Sequence, residues 1–413
     1  MVEAQDDERK AHARMERIRV GFVTPEFLDD DGLFPGGLAS YVFHMSRALI
    51  DLGHTVTVFM LSDMDAETEY RGIRVVKVSG KTPFPVKPLA WLFAKWLPVS
   101  VNTILSSWCI NRRIAKRRVE EGIDVLQYTN YKAIGLFRVK RGSLIRISSY
   151  QRLWNNNPKE RSLDKSLYER LESIAIKRFS TVVSPGEYLS GIIRRDLDLP
   201  REIRMVPTPL GSGIGPSGRS FRTTGMRMVM YAGTVNRIKG SELLFGIIRK
   251  YLSDFDDTLF LVAGKTGRSY GRSLAPELKS LSDSFPTRFT YHQHLEKPDL
   301  LAAYRQADVV LVPSLIDNFP NTALEAASQD ALLIASETTS LGSLLRDGEN
   351  GFVMDSRSAE EWVQAIRRAL TIEPGRRERM KANMRKALGR HEPESAALEI
   401  CEVYGEVMRQ TAG

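Results

Sequence analysis

The 413 residues include 59 Lys and Arg against 50 Asp and Glu, a formal net charge of +9, and 42% are hydrophobic. Single cores rarely grow beyond roughly 250 to 300 residues, so two or three domains are expected. Two cysteines, Cys109 and Cys401, exclude a disulfide framework and show no metal-ligand spacing; they imply no cofactor and make a reducing, cytoplasmic setting the default. The basic balance favours an anionic partner: a phosphorylated small molecule, nucleic acid or an anionic membrane face.

Residues 1–17 are charged throughout, without the apolar run of a secretory signal, and read as a mobile tail. "IRVGFV" (18–23) and "HTVTVFML" (54–61) are short β-rich runs bounded by turn residues, hence buried strands. Between them Leu38, Val42, Met45, Leu49 and Leu52 recur at helical spacing, and Gly53 stands where a helix C-terminal glycine belongs. "IDVLQYT", "SLIRISS" and "STVVS" continue the strands with helical patterns between them, which predicts a parallel, doubly wound sheet over residues 18–206. The Gly-, Pro- and Ser-rich stretch 207–225 breaks every periodicity and reads as a linker. After it the alternation restarts with "MRMVMYAG", "TLFLVAG", "RFTYHQ" and "DVVLVPS", predicting a second α/β domain over 226–390. The final helix, 391–413, is expected to pack back on the first domain. Two such sheets facing across a cleft suit a donor and an acceptor.

Three places join a strand end, a glycine and a helix start. Gly36 and Gly37 precede the first helix, where backbone N–H groups and the helix dipole favour an anion, though Gly-Gly is also plain turn chemistry. In "YAGTVNRIKGSELL", Lys239 precedes a helix that Ser241 is expected to cap, and Gly240 leaves room for a phosphate; a solvated loop lysine is the alternative. In "VPSLIDNFPNTALEAA", Thr322 and Glu325 match a capping box, which leaves Asp317, Asn318 and Asn321 unexplained.

"GGLASYVFHMSRALIDLGHTVTVF", "AGTVNRIKGSELL" and "PSLIDNFPNTALEAASQDALLIAS" followed by "LRDGENGFV" resemble, in that order, the family-four retaining glycosyltransferases of the GT-B fold. The third block is the most specific, because Asp317-x7-Glu325 resembles the family's Glu-x7-Glu signature. The resemblance implies sugar transfer from a nucleotide diphosphate-sugar, with Lys239 on the donor diphosphate and Glu325 on the nucleotide ribose. Asp317 and the backbone of Asn318, Phe319, Asn321 and Thr322 would hold the sugar. Gly233, Thr234, Arg237 and Gly240 would line the diphosphate, Gly36 and Gly37 would face it from the other domain, and His294 would lie near the base.

Departures from the family pattern fall at Thr234, where an arginine is usual, at Asp330 and Leu332 in place of glycine and proline, and at Ser343 in place of a glutamate. Gln127, Thr129 and Ser149 lie where histidines are common. These departures motivate an alternative: a GT-B-shaped partner or scaffold without turnover. Asp29, Asp30 and Asp31 read as a solvated acidic loop, and His292 and His294 lack further ligands, so no metal is expected. In residues 83–118 a tryptophan-rich apolar cluster is followed by Arg112, Arg113, Lys116, Arg117 and Arg118. Lys95, Pro98 and Asn102 interrupt it too soon for a spanning helix. A core helix followed by a solvated one, and an interfacial element on anionic lipid, both fit. No nucleic-acid motif accompanies the charge.

Overall fold

The computed structural model describes residues 17–28, 36–80, 94–154, 162–211, 213–269 and 271–412. The Asp29–Asp31 run, the segment 81–93 and most of the charged tail lie outside them. The chain divides into two compact units. Unit 1 takes Met1–Ser184, Ile193–Pro209 and Pro393–Gly413, and unit 2 takes Pro185–Ile192 and Leu210–Glu392.

Unit 1 is built on an eight-stranded sheet in the order β3-β4-β2-β1-β5-β6-β7-β8. Its strands are β1 (Arg19–Thr24), β2 (Thr55–Ser62), β3 (Ala66–Tyr70), β4 (Ile73–Ser79), β5 (Val125–Thr129), β6 (Ser143–Arg146), β7 (Thr181–Ser184) and β8 (Arg204–Met205). All neighbours are parallel except β3, which pairs antiparallel with β4. Strands covered on both faces need continuous apolar runs, and β1 and β2 supply them. The β3–β4 hairpin escapes the sequence reading. Its two loop residues, Arg71 (φ 49°) and Gly72 (φ 80°), are both left-handed, the backbone of a type I′ turn, but Arg-Gly lacks the usual Asn-Gly signal. Glu67 and Glu69 put charge on this outer strand and discourage edge pairing.

The helices of unit 1 are α1 (Gly37–Asp51), α2 (Pro98–Glu121), α3 (Gln151–Trp154), α4 (Leu163–Lys177) and α12 (Pro393–Ala412), while α5 (Glu187–Asp196) straddles the division of units. Helix α1 closes as its sequence demands. Gly53 takes φ 86° and its N–H donates to the Ile50 carbonyl at 2.8 Å, while the His54 N–H donates to Leu49 at 3.0 Å, a Schellman pair. Ala396, Ala397, Ile400, Val403, Tyr404 and Val407 of α12 are core residues of this unit, packed with Val20, Phe22, Val42 and Leu49.

Unit 2 carries a six-stranded parallel sheet, β13-β10-β9-β14-β15-β16. Its strands are β9 (Arg227–Ala232), β10 (Thr258–Ala263), β13 (Phe289–His292), β14 (Val309–Val312), β15 (Leu332–Ser336) and β16 (Phe352–Met354), with a small antiparallel pair, β11 (Arg268–Ser269) and β12 (Arg272–Ser273). Counted from β9, the large sheet is wound 3-2-1-4-5-6, the dinucleotide-fold order, so the direction reverses between β9 and β14. Helices α6 (Ser241–Asp254), α7 (Ala275–Ser284), α8 (Lys297–Gln306), α9 (Asn321–Ser328), α10 (Ala359–Leu370) and α11 (Pro374–Leu388) belong to it. The Gly- and Ser-rich stretch before β9 is tied to α8: Ser217 donates to Asp299 at 2.7 Å, and the Phe221 N–H donates to Gln306 at 2.8 Å.

Candidate active site

In a doubly wound sheet the loops leaving the two strands at the reversal part and leave a crevice between them. In unit 2 these are the loops after β9 and β14, and they carry most of the residues singled out above. Gly233 begins the first, with φ 143°. It lies against Gly264, the matching residue after β10, where a Cβ would come 2.0 Å from the Gly233 carbonyl oxygen. Beneath the turn the buried Tyr231 hydroxyl donates to the exposed Thr234 carbonyl at 3.0 Å.

Gly240 is required by a close approach. It takes φ 78°, and a Cβ there would meet the Pro313 carbonyl oxygen at 1.9 Å. The side of Gly240 where a Cβ would stand is therefore taken by the backbone of the second loop. The Leu315 N–H donates to the Ile238 carbonyl at 2.8 Å and joins the loops further. Ser241 does not cap α6. It lies within the helix behind Gly240, and its buried hydroxyl makes no hydrogen bond among the described residues. Asn236 does the turn's work instead: its carboxamide oxygen accepts from the Lys239 N–H at 2.9 Å and its carbonyl from the Ser241 N–H at 3.2 Å.

The Lys239 ammonium forms an ion pair with Asp317 Oδ2. Asp317 is buried and fixed on every side: its N–H donates to Thr338 at 3.1 Å, its Oδ1 accepts from the Asn318 N–H at 3.0 Å, and Ser314 donates to Oδ2 at 3.5 Å. Arg237 belongs to the same loop, where its carbonyl accepts from the Gly240 N–H at 3.0 Å. Phe319 is left-handed, at φ 68°. Its ring is buried and stacks on His391 with centroids 4.9 Å apart, so only its backbone remains for a ligand.

The capping box is not formed. Helix α9 begins at Asn321, its N-cap is Pro320 without a side-chain bond, and Thr322 lies inside the first turn. The helix starts two residues earlier than a Thr322 cap requires, after a proline whose φ of −67° suits a helix entry but whose ring offers no capping group. Glu325 is free of a cap role and pairs instead with Lys297, Nζ to Oε1 2.5 Å. Nothing in the sequence pattern had marked Lys297, Asn236, Ser314 or Thr338. His294 Nε2 lies 3.0 Å from Glu296 Oε1.

Unit 1 presents its own reversal between β1 and β5. Gly36 is the N-cap of α1 with φ −66°, open to any residue, and Gly37 is the first helical residue. Glu26, after β1, has its carboxyl raised by burial and partly lowered again by Lys132. Lys132 and Ala133, after β5, are both left-handed, at φ 54° and 46°. Glu172 is fully buried, accepting from Asn130 Nδ2 at 3.0 Å and the Gln151 N–H at 2.8 Å, and burial pushes its carboxyl up to about 8. Gln127 bridges Tyr41 (2.8 Å) and Tyr404 (2.6 Å), a structural role, while the buried Thr129 and Ser149 hydroxyls make no hydrogen bond among the described residues.

Asp330 explains one departure. It occupies the left-handed backbone, φ 63°, that glycine fills without cost, and Arg385 grips its carboxylate with two bonds of 2.8 Å. In the basic run of α2, Arg113 pairs with Asp65, Arg117 with Glu67 and Glu121, and Lys116 with Glu120, so much of its charge is answered within the unit. Among the described residues no group of three or more His, Cys, Asp or Glu could hold a metal, and no helix is long and apolar enough to cross a membrane.

Two α/β units with these sheet orders, and the Lys239–Asp317 ion pair where the winding of the second reverses, are those of the GT-B fold. Residues 35–210 match the family model described as Glycosyltransferase Family 4, and residues 219–387 that described as Glycosyl transferases group 1. The chain belongs to this glycosyltransferase family. The D-inositol 3-phosphate glycosyltransferase of Xylanimonas cellulosilytica is 28% identical over 185 residues, 44% of this chain and 43% of that protein. Its counterpart from Rhodococcus jostii is 29% identical over 152 residues, 36% and 33% of the two chains. The match thus spans less than half the length of these relatives. Among solved structures, sucrose-phosphate synthase from Thermosynechococcus elongatus superposes with a TM-score of 0.72 at 18% identity, over 95% of this chain and 100% of that one. A glycosyltransferase from Rickettsia africae gives 0.65 at 12%, over 96% and 100%. At these identities the likeness speaks for the fold.

Proposed function

We propose that this chain is an enzyme transferring a sugar from a nucleotide diphosphate-sugar, UDP- or GDP-linked, to an acceptor hydroxyl with retention at the anomeric carbon. The observation that carries the reading is the Lys239–Asp317 pair at the reversal of the unit 2 sheet. Lys239 acts on the diphosphate, where negative charge grows as the bond from the anomeric carbon to the leaving oxygen breaks. The acceptor oxygen attacks from that same face, and the departing phosphate oxygen takes its proton. Asp317 keeps the ammonium in place and turns its loop backbone toward the sugar; Glu325 accepts from the ribose.

The acceptor is a polysaccharide, a glycolipid or a lipid-linked glycan, with a phosphorylated polyol added by the names of the curated relatives. Location on the cytoplasmic face of a membrane rests on the exposure of Trp96 (77%) and Leu163 (85%) beside the partly neutralised basic helix α2. Sedimentation with anionic against neutral vesicles tests it: equal recovery in both removes the membrane role.

Calorimetric titration with UDP- and GDP-sugars tests the donor site. Lys239→Ala and Glu325→Ala should each weaken donor binding by about 1.5 to 3 kcal/mol while the fold survives. Unchanged binding in both variants would remove the assignment. A second reading, an inactive partner of the same fold, is favoured by Thr234, exposed where the family places an arginine. Slow donor hydrolysis that depends on Glu325 would exclude it.

A further inference from the structure

Lys297 is the first residue of α8, and a cation in the first turn of a helix opposes the positive end of the helix dipole. Its own helix gives no reason for it. The reason lies across the gap to α9, where its Nζ is 2.5 Å from Glu325 Oε1, with the two side chains 36% and 18% exposed. Two turns further along α8, the Tyr304 hydroxyl is fully buried and makes no hydrogen bond among the described residues. Burial, and then the negative charge of Glu325, hold that phenol in its protonated form. Helix α8 thus meets the Glu325 carboxylate with the Lys297 ammonium, while the buried Tyr304 further along stays neutral.

A carboxylate offers about four lone-pair sites on two oxygens. With no partner it rotates freely about its last bond, and two hydroxyls on one ribose then have to order it as they bind. With Oε1 held by an ammonium, the carboxylate plane is fixed before the nucleotide arrives. Oε2 and one site on Oε1 remain open.

We infer that Lys297 is a positioning residue for the nucleotide ribose: it holds Glu325 in the orientation that accepts from the 2′- and 3′-hydroxyls. The inference rests on the proposed donor role of Glu325. It separates Lys297 from Lys239, whose ammonium serves the diphosphate, and assigns the two lysines to different parts of the same ligand.

The test is a calorimetric comparison of UDP and GDP, each beside its 2′-deoxy form, on the wild type, K297M, K297R and E325Q. K297M keeps the aliphatic stem and removes the charge. It should lose about tenfold in affinity for the ribonucleotide and less than about twofold for the 2′-deoxynucleotide, with K297R recovering most of the difference. An equal loss for both sugars means that Lys297 serves packing or the phosphates, and overturns the inference; so does tighter binding in K297M, which would make Lys297 a competitor of the ribose. E325Q separates the two levels. If it leaves the ribose preference intact, the donor role of Glu325 falls and the inference with it. If it abolishes the preference while K297M retains it, only the role of Lys297 falls.

Discussion

At the carboxyl edge of the unit 2 sheet, the loops after β9 and β14 are joined by a backbone hydrogen bond, by a glycine that no other residue could replace, and by the Lys239–Asp317 pair. At the corresponding edge of unit 1, the loop after β5 holds two non-glycine residues in left-handed backbone. The buried carboxylate nearby, Glu172, is held among the described residues by neutral donors. The winding is the same in both places. One edge is rigid, with its charges answered, as preorganised binding of an anion requires; the other stores strain and an uncompensated acid. A shared fold thus provides two crevices, and the side chains at each decide its chemistry.

The comparison can be broken most severely at Gly240. Gly240→Ala adds a Cβ into the Pro313 carbonyl at a positive φ, and should destabilise unit 2 by about 4 kcal/mol and abolish donor binding, read by thermal unfolding and calorimetry. The second break is by pH, in unit 1. Glu172 keeps its proton in the folded chain up to about pH 8 but releases it in the unfolded chain near the ordinary 4.5, so the folded state binds more protons between those values. Stability must therefore fall as pH rises through this window, on the order of a few kcal/mol in total. Denaturant titrations from pH 5 to 9 should show the slope, and Glu172→Gln should flatten it; a slope unchanged in the variant would place the titration elsewhere. A smaller effect is expected at Asp330, where Asp330→Ala should lower stability modestly, read by thermal unfolding, with little change in donor affinity. A large loss of donor binding there would make the departure from glycine functional.

The two sheets were legible because strands buried on both faces have to be written as apolar runs, and β1, β9, β10 and β14 are. The β3–β4 hairpin was not, because its strands are short, one is charged, and its turn uses arginine. Lys239 and Asp317 could be singled out by position, each in the loop beyond a strand end, but that they pair with each other could not. The capping box misled because Thr-Ala-Leu-Glu satisfies a local pattern that Pro320 overrides by starting the helix earlier. Lys297 was invisible because its partner lies in another helix, and no spacing along the chain encodes that contact.

The last helix reaches back a long way. Tyr404 donates to Gln127 across 277 positions, and Cys401 meets His54 across 347. His54 Nδ1 accepts from the Ile18 N–H, so the ring's other nitrogen carries the proton toward the Cys401 sulfur. During synthesis, then, the first unit to emerge is not the first that can finish. Residues 210–392 can close around their own sheet while the earlier one still waits for α12 to leave the ribosome. For that interval the apolar face that Ile400, Tyr404 and Val407 will cover has no partner of its own, and a chaperone that shields it should raise the yield of folded chain.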